Sequence, residues 1–335
     1  MKDNMSKMEI PSVKGKYAFD SHKLIWHMDR IHQHYRDGQR TAPLHIDIGV
    51  TKLCNARCVY CYGLHQKMSG DIIPREVLIK LFNDAPLLGV KSLTLTGDGE
   101  PTLNPAVYEA VCLGKAKGLG IGFATNGIAL DEPKLNSLLK SCTWLRFNLS
   151  AVDKGSYKSI HGIDTWERVQ DNIKLAVEIK KKFSYRCTIG LQMVLIPQAI
   201  NQVVPEAVWA VANGVDYFVI KQFSDPGCEE MSRFELGWYD NLMVGDILKS
   251  AEGLSTEHTK IIAKHGMIKS KGVRPYDHCV DCPLIFQISG SSKCYPCGYL
   301  FGDERYEYGD LKTQSLEEII TSDRYWDIIK YMRNE

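Results

Sequence analysis

The sequence predicts an α/β fold on a parallel sheet, and two observations carry that prediction. From His45 onward, short β-branched runs alternate with stretches of helical spacing. The residues that carry unusual chemistry fall repeatedly just after those runs. Strand–helix alternation means a parallel sheet, either an open doubly wound sheet or a partial barrel, and in both designs ligands gather at the carboxyl ends of the strands.

Residues 1–42 read as an N-terminal extension with one helix: from Ser21, Leu24, Met28, Ile31 and Tyr35 recur at helical spacing and Gly38 stops the run. Its histidines, His22, His27, His32 and His34, are read as a solvated helix face and given no role. Residues 43–252 hold the regular part, with strands expected at 45–51, 91–96, 119–125, 144–150, 188–195 and 215–222. Helices are expected at 75–82, 106–117, 133–141, 166–180, 204–213 and 237–250, the first with Pro74 just ahead of it and the fifth with Gly214 just past its end. Beyond residue 252 the rhythm fades into a loop-rich tail, 253–335, read as a second and smaller domain.

Bulk composition narrows the function classes. The chain has 335 residues, 44% hydrophobic and 24% charged, which is ordinary for a globular enzyme. Its formal net charge of +1 offers no electrostatic footprint for nucleic acid or an anionic membrane. No run reaches the ~18 apolar residues of a spanning helix. Eleven cysteines without a leading apolar segment point to a reducing cytoplasm, where thiols bind metal and do not pair. The expected assembly is a monomer or weak dimer.

After the first strand comes Cys54, Cys58 and Cys61, a CxxxCxxC cluster. A cubane [4Fe-4S] centre normally takes four thiolates, so three close cysteines without a fourth leave one iron open to an outside ligand. Glycines mark the next strand end, in Gly97-Asp98-Gly99-Glu100-Pro101. Asn126-Gly127 follows the third strand and Ser150 ends the fourth, so one rim collects them all.

This order of motifs resembles the radical S-adenosylmethionine superfamily over roughly residues 45–225, with Tyr60 as the aromatic residue before the last cysteine. The 97–101 turn resembles that family's GGEP element, with Asp98 between the two glycines. The resemblance implies a partial (β/α)6 barrel and a catalytic [4Fe-4S] cluster whose open iron is chelated by S-adenosylmethionine to yield a 5′-deoxyadenosyl radical. It implies cofactor contacts at Tyr60, Gly97, Gly99, Glu100, Asn126, Ser150 and Gln192. The two glycines would let the backbone approach the cofactor's amino group. Glu100 is read as either a cofactor contact or a loop cap, Asn126 as a contact or a plain turn, and Ser150 and Gln192 as contacts or satisfied core polar groups.

The tail carries Cys279, Cys282, Cys294 and Cys297, CxxC twice with eleven residues between. By itself this spacing suits structural zinc or a fully ligated cubane. With Gly290 and the 309–319 stretch it resembles the SPASM and Twitch extensions of radical enzymes, which implies one auxiliary [4Fe-4S] cluster. Of the remaining cysteines, Cys112, Cys142 and Cys187 read as small buried hydrophobes. Cys228, just past the sixth strand, reads as a hydrogen-atom donor or a loop cysteine without function. Lys221 and Asp225 beside it are candidates for orienting substrate or accepting a proton. Electrons are expected from a flavodoxin or ferredoxin. The first-ranked reaction is dehydrogenation or epimerisation of a sugar-like or aminocyclitol substrate, the second is maturation of a ribosomally made peptide or protein, and the opposing class is a non-enzymatic zinc or iron-sulfur sensor.

Overall fold

The computed structural model describes residues 21–66, 69–224, 234–271 and 277–333. Two compact units result, 1–41 and 42–335. In the first, a 3-10 turn at Ser21–His27 leads into α1 (Met28–Tyr35). His32 is exposed there, but His34 departs from the solvated face expected of it: the ring is buried and its Nδ1 meets the Gln39 carbonyl at 3.1 Å.

The second unit is built on one ten-stranded sheet. Its strands are β1 (His45–Ile48), β2 (Ser92–Leu95), β3 (Gly120–Thr125), β4 (Trp144–Asn148), β5 (Thr188–Leu195), β6 (Tyr217–Gln222), β7 (Lys260–Ala263), β8 (Ile285–Ile288), β9 (Lys293–Tyr295) and β10 (Gly309–Asp310). Their order is β10-β9-β8-β1-β2-β3-β4-β5-β6-β7, parallel from β8 through β7 and antiparallel only at β8–β9 and β9–β10. The sheet does not close, since β7 and β10 are its two edges. It is the partial barrel expected from the motifs.

The helices are α2 (Arg75–Leu87), α3 (Val107–Ala116), α4 (Glu132–Ser141), α5 (Lys154–His161), α6 (Trp166–Phe183), α7 (Val203–Ala212), α8 (Leu242–Glu252), α9 (His265–Ser270), α10 (Leu316–Thr321) and α11 (Asp323–Arg333). Period-two alternation explains how strands and helices meet. Leu93 and Leu95, Ile121 and Phe123, Leu145 and Phe147 are fully buried on one face, while the opposite face carries polar side chains such as Arg146 and Asn148. The apolar face forms the core, and the polar face lines a cavity.

Further features differ from the sequence reading. Cys112, read as a buried hydrophobe, is exposed on α3, with its Sγ 3.4 and 3.3 Å from the Ser137 and Ser141 hydroxyls. The 154–161 segment forms a helix that was not expected, although Asp153 caps it by accepting from Ser156 N–H at 2.9 Å and Gly162 ends it at φ +68°. α2 runs on past Phe82 because Ala85 continues its buried stripe of Leu78, Leu81 and Phe82. The helix expected at 237–250 is broken at Asn241, whose side chain caps α8 through Met243 N–H at 3.0 Å. Finally, the tail contributes strands to the sheet: β7 extends it beside β6, and β8 pairs with β1 in register His45↔Ile285 to Ile48↔Ile288.

Candidate active site

The carboxyl ends of β1 through β6 surround a cavity of about 250 Å³. Cys54, Cys58 and Cys61 all line it, on the loop that leaves β1. The three sulfurs lie within electrostatic reach of one another: burial, then neighbouring Glu100 and Cys61, push the Cys54 thiol up to about 11, and burial followed by Cys61 and Cys54 pushes Cys58 up further. A bound cation would reverse both shifts by favouring the thiolates.

Gly97 and Gly99 line the same cavity, and close packing of the backbone behind them also requires glycine at both positions. A β-carbon on Gly97 would stand 2.6 Å from Gly49 Cα, and one on Gly99 would fall on the Thr51 carbonyl and lie 2.6 Å from Leu53 O. These glycines therefore let the turn after β2 press against the backbone of the cysteine loop. Between them, Asp98 is buried and reaches the tail, its Oδ2 accepting from the Ser289 hydroxyl at 2.7 Å and its Oδ1 from Gly290 N–H at 3.1 Å.

Glu100 serves as the loop cap that the sequence left open, although it also lines the cavity. Its Oε1 accepts from Thr102 N–H, the Thr102 hydroxyl and the Thr125 hydroxyl at 3.1, 2.7 and 2.7 Å, and its Oε2 accepts from Asn126 N–H at 2.7 Å. One carboxylate thereby ties the ends of β2 and β3 together. Asn126 lines the cavity too, with Nδ2 donating to Asn55 Oδ1 at 2.7 Å and lying 4.0 Å from Cys54 Sγ, and Oδ1 accepting from Ile128 N–H at 3.0 Å, so its amide ties the turn to the cysteine loop.

Tyr60 and Gln192 line the cavity. Ser150 stands behind its wall, fully buried, with its hydroxyl bonded to the Tyr60 hydroxyl at 3.3 Å and to Val194 N–H at 3.1 Å. These bonds support Tyr60 at the cavity wall. Asn148, which lines the cavity, donates from Nδ2 to the Tyr60 hydroxyl at 2.9 Å, and its Oδ1 is buried without a hydrogen-bond partner among the described residues.

Lys221 lines the cavity at the end of β6, and its ammonium makes no hydrogen bond or ion pair with a described residue. Burial, then the positive charges of Arg146 and Lys264, pull its pKa down to about 8. Arg146 shares the cavity, its guanidinium 4.9 Å from the Trp144 ring. Asp225 and Cys228 lie outside the described residues.

Sequence reasoning missed Arg146 and His161. Arg146 sits at an inward position of β4, where alternation with buried Leu145 and Phe147 was the available signal. His161 is fully buried, and burial pulls its pKa down to about 3, so its ring is neutral. Its Nδ1 is 3.2 Å from Cys58 Sγ.

In the tail, Cys279 and Cys282 are in contact, and the bond from Cys282 pulls the Cys279 thiol down to about 6. Cys294 is fully buried on β9. Tyr308 lies near Cys279, Cys282 and Cys294, and Tyr325 near the last two; both hydroxyls are buried and without a hydrogen-bond partner among the described residues. Cys297 lies on the side of Tyr62, the residue after Cys61.

Among the described residues no three Cys, His, Asp or Glu side chains converge as a single ion would require. A cubane differs in that each iron takes its own thiolate, so its ligands surround a body and not a point. Three cysteines around one cavity, with the polar side chains of Asn148 and Gln192 lining the same space, fit such a cluster with a polar ligand beside it.

The model of the Radical SAM superfamily matches residues 48–198. The chain is similar to the tungsten-containing aldehyde ferredoxin oxidoreductase cofactor-modifying protein of Pyrococcus furiosus, 22% identical over 296 residues that cover 82% of this chain and 80% of that protein. It is also similar to the probable GTP 3',8-cyclase of Saccharolobus islandicus, 29% identical over 133 residues, which cover 39% of this chain and only 43% of the cyclase. Among solved structures, Streptococcus suis SuiB bound to its precursor peptide SuiA matches with a TM-score of 0.70 at 14% identity, covering 93% of this chain and 73% of that one. The structure of anSMEcpe with bound AdoMet matches with a TM-score of 0.57 at 18% identity, covering 87% of this chain and 84% of that one. At these identities the structural likeness is one of fold. Matched from the end of β1 through β5, with the three cysteines on its rim, this chain carries a domain of the radical SAM superfamily, whose cofactors are a [4Fe-4S] cluster and S-adenosylmethionine.

Proposed function

We propose that this chain is a radical SAM maturase that removes a hydrogen atom from a residue of a peptide or protein. The observation that carries the reading is that the likeness to SuiB, a protein solved with its precursor peptide, runs through 93% of this chain and so includes the tail. The similarity to a cofactor-modifying protein over 82% of the chain supports a maturation role as well. Nothing comparable supports the aminocyclitol substrate ranked first from sequence, so the order of the two readings is reversed.

Bound at the rim, the cluster and S-adenosylmethionine supply the one-electron chemistry that removes the hydrogen atom. The chain's own part is placement. Cys54, Cys58 and Cys61 hold the cluster, and the 97–101 turn fixes their loop. Arg146 and Lys221 set two cations in the cavity, a fit for a carboxylate of the substrate, while Asn148 and Gln192 offer neutral polar contacts. Cys279, Cys282, Cys294 and Cys297 hold a second, auxiliary [4Fe-4S] cluster, toward which the orphaned hydroxyls of Tyr308 and Tyr325 are disposed. Reduction comes from a flavodoxin or ferredoxin. Among the described residues no helix is long and apolar enough to cross a membrane.

Anaerobic reconstitution tests this reading: about eight irons per chain are expected for two cubanes, with release of 5′-deoxyadenosine on reduction. Replacement of Cys54, Cys58 and Cys61 together by alanine should abolish that release. Peptides bearing deuterium should then pass label into 5′-deoxyadenosine. Zinc at both cysteine groups and no cleavage of S-adenosylmethionine would favour the non-enzymatic module instead.

A further inference from the structure

Cys58 is gripped by the end of α5 through both main chain and side chain. Arg57 N–H donates to His161 O at 2.9 Å and Val59 N–H to Ile160 O at 2.9 Å, so the two amides flanking Cys58 are registered against the last two residues of the helix. Gly162 completes the contact, since a β-carbon there would lie 2.6 Å from Arg57 O. The His161 ring itself is stacked on Tyr157, with centroids 4.5 Å apart, and stands edge-on to Tyr60 at 6.0 Å.

The hydrogen bonds of this ring determine where its proton is. Ser150 N–H lies 3.1 Å from Nε2, and a backbone N–H only donates, so Nε2 presents its lone pair. The ring's single proton is then on Nδ1, 3.2 Å from Cys58 Sγ. We infer that His161 is a positioning residue that donates an N–H···S hydrogen bond to Cys58 and thereby raises the reduction potential of the cluster this cysteine holds. The inference rests on the assignment of Cys54, Cys58 and Cys61 as cluster ligands. Its physical basis is that a donor on a ligand sulfur stabilises the more negative, reduced cluster, and hydrogen bonds to sulfur are among the determinants of such potentials. Here the donor is held on a buried ring whose other nitrogen is occupied, so it cannot turn away.

Three substitutions separate this role from packing. His161→Phe keeps the ring and removes both nitrogens, His161→Gln offers an acceptor to Ser150 N–H without the donor at the Nδ1 position, and His161→Asn places an amide donor where Nδ1–H stands. The measurement is the midpoint potential of the reconstituted full chain by EPR-monitored titration, following the signal that changes on adding S-adenosylmethionine, with iron content as the check on loading. His161→Phe and His161→Gln should make the cluster about tenfold harder to reduce, a fall of about 59 mV for one electron, and His161→Asn should restore the wild-type value. An unchanged midpoint in loaded His161→Phe or His161→Gln overturns the inference, as does an equal fall in His161→Asn. Should His161→Phe fail to load, the Gln and Asn pair decides. A wild-type chain without any signal responsive to S-adenosylmethionine overturns the cofactor assignment and this inference with it, whereas an unmoved midpoint leaves that assignment standing.

Discussion

Substituting Gly99 by alanine tests whether the glycine turn exists to hold the cysteine loop. The new β-carbon would fall on the Thr51 carbonyl and sit 2.6 Å from Leu53 O, both backbone atoms that no rotamer change can clear. Leu53 O is also the acceptor for Glu100 N–H at 2.8 Å, so moving it away strains the bond that joins the two loops. Overpacking costs about 1–3 kcal/mol and a lost buried hydrogen bond about 1 kcal/mol more. A loss of roughly 2–4 kcal/mol follows, at about 1.5 °C of Tm per kcal/mol for a chain of this length, from an unfolding entropy of about 2.1 cal/mol/K per residue. Gly245→Ala is the control, because its β-carbon meets nothing within 4 Å in the middle of α8 and should stabilise by about 0.5–1 kcal/mol. Thermal unfolding of the apo-protein and iron uptake on reconstitution are the assays. If Gly99→Ala matches wild type in both, the turn is not what places Cys54, and the account of the two glycines is wrong.

Lys221 should titrate near pH 8, and after reductive methylation with a ¹³C label one lysine resonance should move there and be missing from Lys221→Met. A midpoint at the ordinary lysine value would contradict the cavity's electrostatics. The sign of the pH effect follows: the folded chain releases this proton before the unfolded chain does, so its contribution to stability rises from about pH 8 toward the usual lysine pKa, while the grip on a carboxylate weakens over the same range. Asp98→Ala strands the Gly290 N–H and the Ser289 hydroxyl and should cost about 2–3 kcal/mol in denaturant unfolding. Asp98→Asn should cost far less, because its oxygen still accepts from Gly290 and the Ser289 hydroxyl can reverse to accept from the new amide; equal losses would refute the assigned bonds.

The rim was legible because its signals are local. The cysteine spacing, the glycine turn and the period-two run at 188–195 each specify geometry over a few residues, and β5 begins and ends where that run does. What escaped depends on partners distant in sequence. β7 and β8 are four-residue strands that gain meaning only beside β6 and β1. Ser150 sits next to the right motif, yet whether it faces the cavity or supports Tyr60 depends on β5 supplying Val194 N–H. His161 belongs to a helix whose cap and stop signals were present in Asp153 and Gly162, but its meeting with Cys58 spans 103 positions.

Those long-range contacts converge on the cysteine loop and bear on what the tail does. The loop is held by α5 through Arg57 and Val59, by the turn after β2 through Leu53 and Glu100, and by the tail, where a β-carbon on Gly290 would lie 2.7 Å from Thr51 Cα. β8 pairs along the whole of β1, and Gly49 N–H donates to Ile288 O at 2.7 Å as the chain leaves the strand toward Cys54. Were β8 removed, β1 would become an edge strand with unpaired amides, and the cysteine loop would lose one of the elements that hold it. Disruption of the tail should therefore lower iron binding at Cys54, Cys58 and Cys61 even where Cys279, Cys282, Cys294 and Cys297 hold nothing, because the tail positions the first site through backbone contacts that do not involve the second.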